Sequence, residues 1–211
     1  MTTPPAEPEG AGSAAPTPFV QHRQVVAFHG TRREIGEAVL LGQRELEAQP
    51  KRWHWLGQGV YFWEHGPARA YEWARAHYGE EAYVLGAHLN LGLCLDLTDT
   101  WATDLLKEGY EALRLVREEQ GKAMPRNESG VGAAPGDRLL RPLDCAVIDM
   151  LNRLNDEAAK ADPGGRRPFQ TVRGVFEEGE EAFPGACIRT RTHVQIAVRD
   201  MACILGYFRP L

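Results

Sequence analysis

From Gln24 to Gly30 the order Gln-Val-Val-Ala-Phe-His-Gly is almost continuously apolar and predicts a short buried strand closed by glycine. Arg33 to Leu41 then turns helical, with Ile35, Val39 and Leu40 at three- to five-residue spacings and Gly42 as the stop. An aromatic loop, Trp53-His54-Trp55-Leu56-Gly57, leads into the strand Val60-Tyr61-Phe62-Trp63. Gly66-Pro67 opens a second helix, because proline is pre-set for the first helical position. Ala70, Tyr71, Ala74, His77 and Tyr78 share a face of that helix. Tyr83–Leu89 and Leu91–Leu97 read as strands. Asp99 or Thr100 caps a third helix with the stripe Leu105, Leu106, Tyr110, Leu113 and Val116, ending near Gly121. A loop from Met124 to Gly136 follows, then a helix over Leu143–Ala159 with Leu143, Val147, Leu151 and Leu154 as its apolar positions. Asp162-Pro163-Gly164-Gly165 breaks it. Thr171–Phe176, His193–Val198 and Ile204–Phe208 return to strand, with an acidic loop from Glu177 to Arg191 between the first two.

Strands, then two helices, then strands predict an α+β fold with a mainly antiparallel sheet and a helical insert at about 99–165. Residues 23–211 read as a single domain. Residues 1–22 are rich in Pro and Ala, bury too little apolar surface to offset their ordering entropy, and read as a disordered leader.

Composition narrows the classes. A net charge of −5 provides no broad attraction for nucleic acid, although it leaves room for a local basic groove. Cys94, Cys145, Cys187 and Cys203 form no Cys-x-x-Cys pair and share no ligand spacing with the histidines, so no metal site is expected. They read as reduced core thiols, which fits a cytoplasmic protein. No apolar run approaches the ~20 residues of a membrane span, and no basic stretch followed by an apolar one opens the chain.

Three segments carry candidate chemistry. In Phe28-His29-Gly30-Thr31 an imidazole is delivered at a strand end beside a glycine, where a ligand can approach the backbone. An ordinary strand terminus followed by a turn fits the same residues. In Gly57-Gln58-Gly59-Val60-Tyr61-Phe62 a tyrosine follows paired glycines; with an aromatic from the next helix it can sandwich a flat heteroaromatic ring, or simply pack in the core. In Thr190–Asp200 alternation puts His193, Gln195 and Ala197 on one face and Val194, Ile196 and Val198 on the other. Two polar residues there need partners or a ligand, unless the strand is an edge with one wetted face.

Taken together and in order, the three segments resemble the diphtheria-toxin-like ADP-ribosyltransferase superfamily, which includes the poly(ADP-ribose) polymerases and has a His-Tyr-Glu constellation. Tyr83 to Gly92 is similar to the strand that follows the family's tyrosine strand, and Gln195 to Phe208 resembles its last strands. The likeness covers about residues 24–97 and 171–208, and extends to an uncharacterised bacterial group of the superfamily. It implies a split, mainly antiparallel sheet and NAD as co-substrate. His29 would bind ribose hydroxyls and Gly30 the nicotinamide amide, with Thr31, Gly59 and Phe62 also lining the NAD site. Tyr61 would stack on the nicotinamide, and Tyr71, or alternatively Trp73, would form the second wall.

Gln195 stands where the family places its catalytic glutamate. Cleaving the nicotinamide–ribose bond builds positive charge on the ribose, against which an amide offers only a dipole. The resemblance therefore implies a mono-ADP-ribosyltransferase acting on a protein or nucleic acid, not a polymerase. Glu64 or an acid from the Glu177–Glu181 stretch can replace the missing carboxylate. The loop from Glu177 to Arg191 is the candidate acceptor loop. Arg173, Arg189, Arg191 and Arg199 are candidates for a pyrophosphate or nucleic-acid contact. A toxin or defence effector with a neutralising antitoxin is one role such an enzyme would fill. The alternatives are an inactive NAD- or ADP-ribose-binding pseudo-enzyme and an NAD-dependent RNA 2′-phosphotransferase-like enzyme.

Overall fold

A computed structural model describes residues 21–210 apart from 50, 52, 53, 135 and 166. Trp53 and nearly all of the expected leader lie outside the described residues. The elements in chain order are β1 (Gln21–Arg32), α1 (Arg33–Leu40), β2 (Val60–Glu64), α2 (Pro67–Tyr78), β3 (Ala82–Gly92), β4 (Cys94–Asp96), α3 (Thr100–Glu119), α4 (Pro142–Ala161), β5 (Thr171–Phe176), β6 (His193–Val198) and β7 (Ile204–Phe208). Strand β1 thus starts inside the segment read as leader. The fold is mixed α+β. One seven-stranded sheet runs β4-β5-β6-β2-β1-β3-β7, antiparallel except where β4 pairs with β5. Among the described residues no helix is long and apolar enough to cross a membrane.

Period two sorts the sheet into two faces. Ala27, Phe62, Leu85, Leu89, Ile196 and Val198 point to one side, where Val39 of α1 covers them. Trp55, Leu56, Val172 and Ala197 lie on the other under Trp101 of α3 and Ile148 and Leu151 of α4. Each leucine-sized side chain so buried contributes about 1.5–3 kcal/mol.

Two helical stripes differ from the pattern expected of them. On α3 the buried positions are Trp101, Ala102, Gly109 and Leu113, while Tyr110 is exposed. Gly109 sits where α4 crosses: a Cβ there would lie 3.0 Å from the Val147 carbonyl oxygen. On α4 Leu154 is exposed, and Ile148, Met150 and Asn152 are buried beside Val147 and Leu151. Packed against both α3 and the sheet, α4 buries a wider arc than a single stripe. The run Leu91–Leu97 is also not one strand. Gly92, at φ +58°, ends β3, and the chain turns to start β4 beside β5. Among the cysteines Cys94 and Cys203 are buried, whereas Cys187 is exposed and so is not a core thiol.

Candidate functional site

Strands β1 and β2 pair only at Ala27↔Glu64 and Phe28↔Trp63, after which they part. The backbone carbonyl of Tyr61 is satisfied across the gap by the side chain of His29, whose Nδ1 lies 2.8 Å from it. A carbonyl oxygen only accepts, so Nδ1 carries the proton and Nε2 is left as an acceptor. Nε2 has no protein partner among the described residues. Burial pulls the His29 pKa below its ordinary value, against the smaller opposing effect of the Tyr61 carbonyl, and so favours this neutral tautomer. A cavity of about 350 Å³ lies at the fork, with His29, Thr31, Tyr61 and Gln195 among its walls.

Tyr61 is held at its far end. Its hydroxyl donates to the Gly57 carbonyl at 2.7 Å and accepts from the Leu56 N–H at 2.8 Å. Burial pushes its pKa well above the ordinary phenol value, so it stays protonated. The turn that holds it is anchored to the helical insert: the Gln58 N–H donates to Asp149 Oδ1 of α4 at 2.8 Å. Gly57 adopts φ +77° there, and a Cβ would lie 2.5 Å from the same oxygen. The imidazole of His54 stacks on the Tyr61 ring with centroids 4.0 Å apart and planes 21° from parallel. Burial, then the charge of Lys51 and the proximity of His29, lower the His54 pKa to about 4.

Gln195 on β6 lies directly opposite Trp63 on β2 and Gly174 on β5, and Ala197 lies opposite Tyr61. Opposed residues share a face, so Gln195 and Tyr61 project to the same side of the sheet. The Gln195 Oε1 accepts from the Trp55 indole Nε1–H at 2.7 Å.

The cavity collects His29, Gly30, Thr31, Gly59, Tyr61 and Gln195, but not every expected residue. Phe62 is fully buried on the opposite face, with its ring centroid 5.6 Å from that of His29. Its ring lies beside the imidazole and is not among the cavity walls. Tyr71 is 51% exposed and is not among the cavity walls, while Trp73 and Tyr78 of the same helix line the site. Two glycines serve packing. A Cβ on Gly30 would lie 2.6 Å from the Ala70 carbonyl oxygen of α2, and one on Gly59 would lie 2.9 Å from that of Val198.

The substitute acids and the arginines are mostly engaged elsewhere. Glu64 is buried on the Phe62 side and bonds Arg173, with Nε–Oε2 at 2.5 Å, and Arg23 at 3.2 Å. Arg173 also bonds Asp96 at 3.1 Å, so neither residue is available to a ligand in the cavity. Arg199 pairs with Asp156 at 2.7 Å, and Arg189 with Asp137. In the acidic loop Glu178 pairs with Arg69 at 2.7 Å and lies 3.7 Å from Arg191. The carboxylates that do line the cavity, Glu45 and Glu47, come from the loop after α1. No sequence signal marked them, because that loop has no periodicity. In sequence His54 and Trp55 are only parts of an aromatic loop; the placement of Trp55 depends on contacts with residues far along the chain.

No protein-family model matches the chain, and no curated protein or solved structure does either.

Proposed function

We propose that the fork cavity binds NAD and that the protein is a mono-ADP-ribosyltransferase. The observation that carries this is the convergence of His29, Tyr61 and Gln195, from three different strands, on one cavity. Its volume of about 350 Å³ lies in the range of small-ligand sites. In this reading His29 Nε2 accepts a hydrogen bond from a ribose hydroxyl, and Gln195 Nε2 donates one to a ribose oxygen. The nicotinamide ring takes the place of the His54 imidazole on Tyr61, with Trp73 as the second wall in place of Tyr71. NAD supplies the ADP-ribosyl group, with nicotinamide as the leaving group, and a protein or nucleic-acid nucleophile takes up the ribose carbon.

Turnover needs some stabilisation of positive charge on the ribose. Gln195 is a poor source of it, because its oxygen is already taken by Trp55. That contact favours a second reading, in which the cavity binds NAD or ADP-ribose without cleaving it. Nicotinamide release from NAD, measured with and without cell lysate, separates the two. Release by the parent protein and its loss in a His29→Ala, Tyr61→Ala double variant support the transferase. Binding without release under either condition supports the sensor. Neither binding nor release sinks both.

A further inference from the structure

We propose that Trp55 is a positioning residue whose indole N–H decides which end of the Gln195 amide faces the cavity, so that the site offers its ligand a hydrogen-bond donor there. The oxygen and nitrogen ends of a glutamine amide have nearly the same shape, so packing alone does not choose between them and the partner does. An indole N–H can only donate. At 2.7 Å from Trp55 Nε1, the near atom of the amide must therefore be the oxygen. The flipped amide would set two donors against each other beside a tryptophan only 5% exposed, too buried for water to relieve the clash.

The indole is fixed independently of Gln195. Its ring lies 5.5 Å from that of Phe176, and the Arg141 guanidinium sits 5.1 Å from its centroid. Room for it comes from Gly174, the residue opposite Gln195 on β5, where a Cβ would lie 2.7 Å from Trp55 Cη2. The missing side chain on β5 thus lets the ring reach the side chain on β6. With Oε1 engaged, Nε2 has no protein partner among the described residues, and Gln195 lines the cavity. Together with the His29 Nε2 acceptor this forms a donor–acceptor pair suited to a ligand that both accepts and donates through oxygen, as a diol does.

The inference rests on the cavity being the ligand site proposed above, and its test separates the two. NAD dissociation constants are measured for the parent, Trp55→Phe, Gln195→Glu and the double variant. Phenylalanine keeps most of the packing and removes the N–H. Trp55→Phe should weaken binding about tenfold in the parent, where the amide loses its orientation. In the Gln195→Glu background it should weaken binding about twofold or less, because the two oxygens of a carboxylate are alike. An equal loss in both backgrounds means that Trp55 only packs, and overturns the inference. A second readout needs no ligand. The Trp55 indole N–H resonance, assigned by its absence in Trp55→Phe, should exchange slowly with solvent and lose that protection in Gln195→Leu. Protection that survives Gln195→Leu overturns the inference even if NAD does not bind; absence of NAD binding with the protection behaving as expected rejects only the NAD reading.

Discussion

Arg173 and Gln195 belong to neighbouring strands, yet they face opposite sides of the sheet and illustrate two ways of burying polarity. Arg173 lies between Glu64 and Asp96, with Thr98 Oγ1 at 3.1 Å as a further acceptor, and its donors are spent on the protein. Gln195 and His29 each have one end tied down, to Trp55 and to the Tyr61 carbonyl, and one end without a protein partner among the described residues. A closed network holds strands together and leaves nothing for a ligand. A half-satisfied group placed on a cavity wall is ready to complete its bonding with something that enters.

The largest effect should come from breaking the closed network. Arg173→Met leaves the buried Asp96 without its cation and Glu64 with only the half-exposed Arg23, and should cost about 3–5 kcal/mol in urea unfolding. The folded fraction should bind NAD as the parent does. A cost below about 1 kcal/mol would show the network to be far wetter than its geometry implies.

Acid should act on the fork and its neighbourhood. His29, His54 and His193 all have folded pKa values below the ordinary imidazole value, the last two at about 4, with burial as the leading cause. Lys51 and His29 lower His54 further, and Arg69 and Arg141 do so for His193. The unfolded chain therefore takes up protons first as pH falls below about 6.5. The stability contributed by these neutral histidines is complete above that pH and is lost progressively towards pH 4, by at most about 1.4 kcal/mol per pH unit for each histidine. Urea midpoints should drop between pH 7 and pH 5, and a flat profile would refute the burial of these rings.

Gln195→Glu restores a carboxylate where the transferase reading wants one. Nicotinamide release should rise about tenfold or more, equivalent to about 1.4 kcal/mol of barrier. No change would place the reacting ribose elsewhere. Trp73→Ala should weaken NAD binding about fivefold, a loss of roughly 1 kcal/mol of ring contact, and Tyr71→Ala should leave it within about twofold. The reverse order would return Tyr71 to the wall. The smallest effect belongs to His54→Ala, which vacates the face of Tyr61 and should tighten NAD binding about two- to threefold; weaker binding would make His54 a ligand contact.

Much of this architecture was legible because strand and helix periods are local. The alternation at His193–Val198 puts Gln195 on one face, and the register agrees. The same rule argues against pairing Phe62 with Tyr61, since adjacent strand residues face opposite ways, and it sends Glu64 to the Phe62 side as well. Tyr71 and Trp73 were harder to separate. They flank the buried Ala70 and Ala74 stripe, and the choice depends on how α2 settles against Gly30, a tertiary contact. The Arg173 network, with Arg23, Glu64 and Asp96, joins residues from four strands, which no local pattern encodes. Trp55 sits in a loop without periodicity, and its meaning comes from Gly174 and Gln195 more than a hundred positions away.

The most direct test of the central claim is a crystal structure of the protein grown with NAD. The account predicts the nicotinamide riboside end of the dinucleotide, or of ADP-ribose after cleavage, in the fork between β1 and β2. Ribose oxygens should lie within about 3.2 Å of His29 Nε2 and Gln195 Nε2. Density for the ligand at another surface, or none at millimolar NAD with the fork open to solvent, would contradict it.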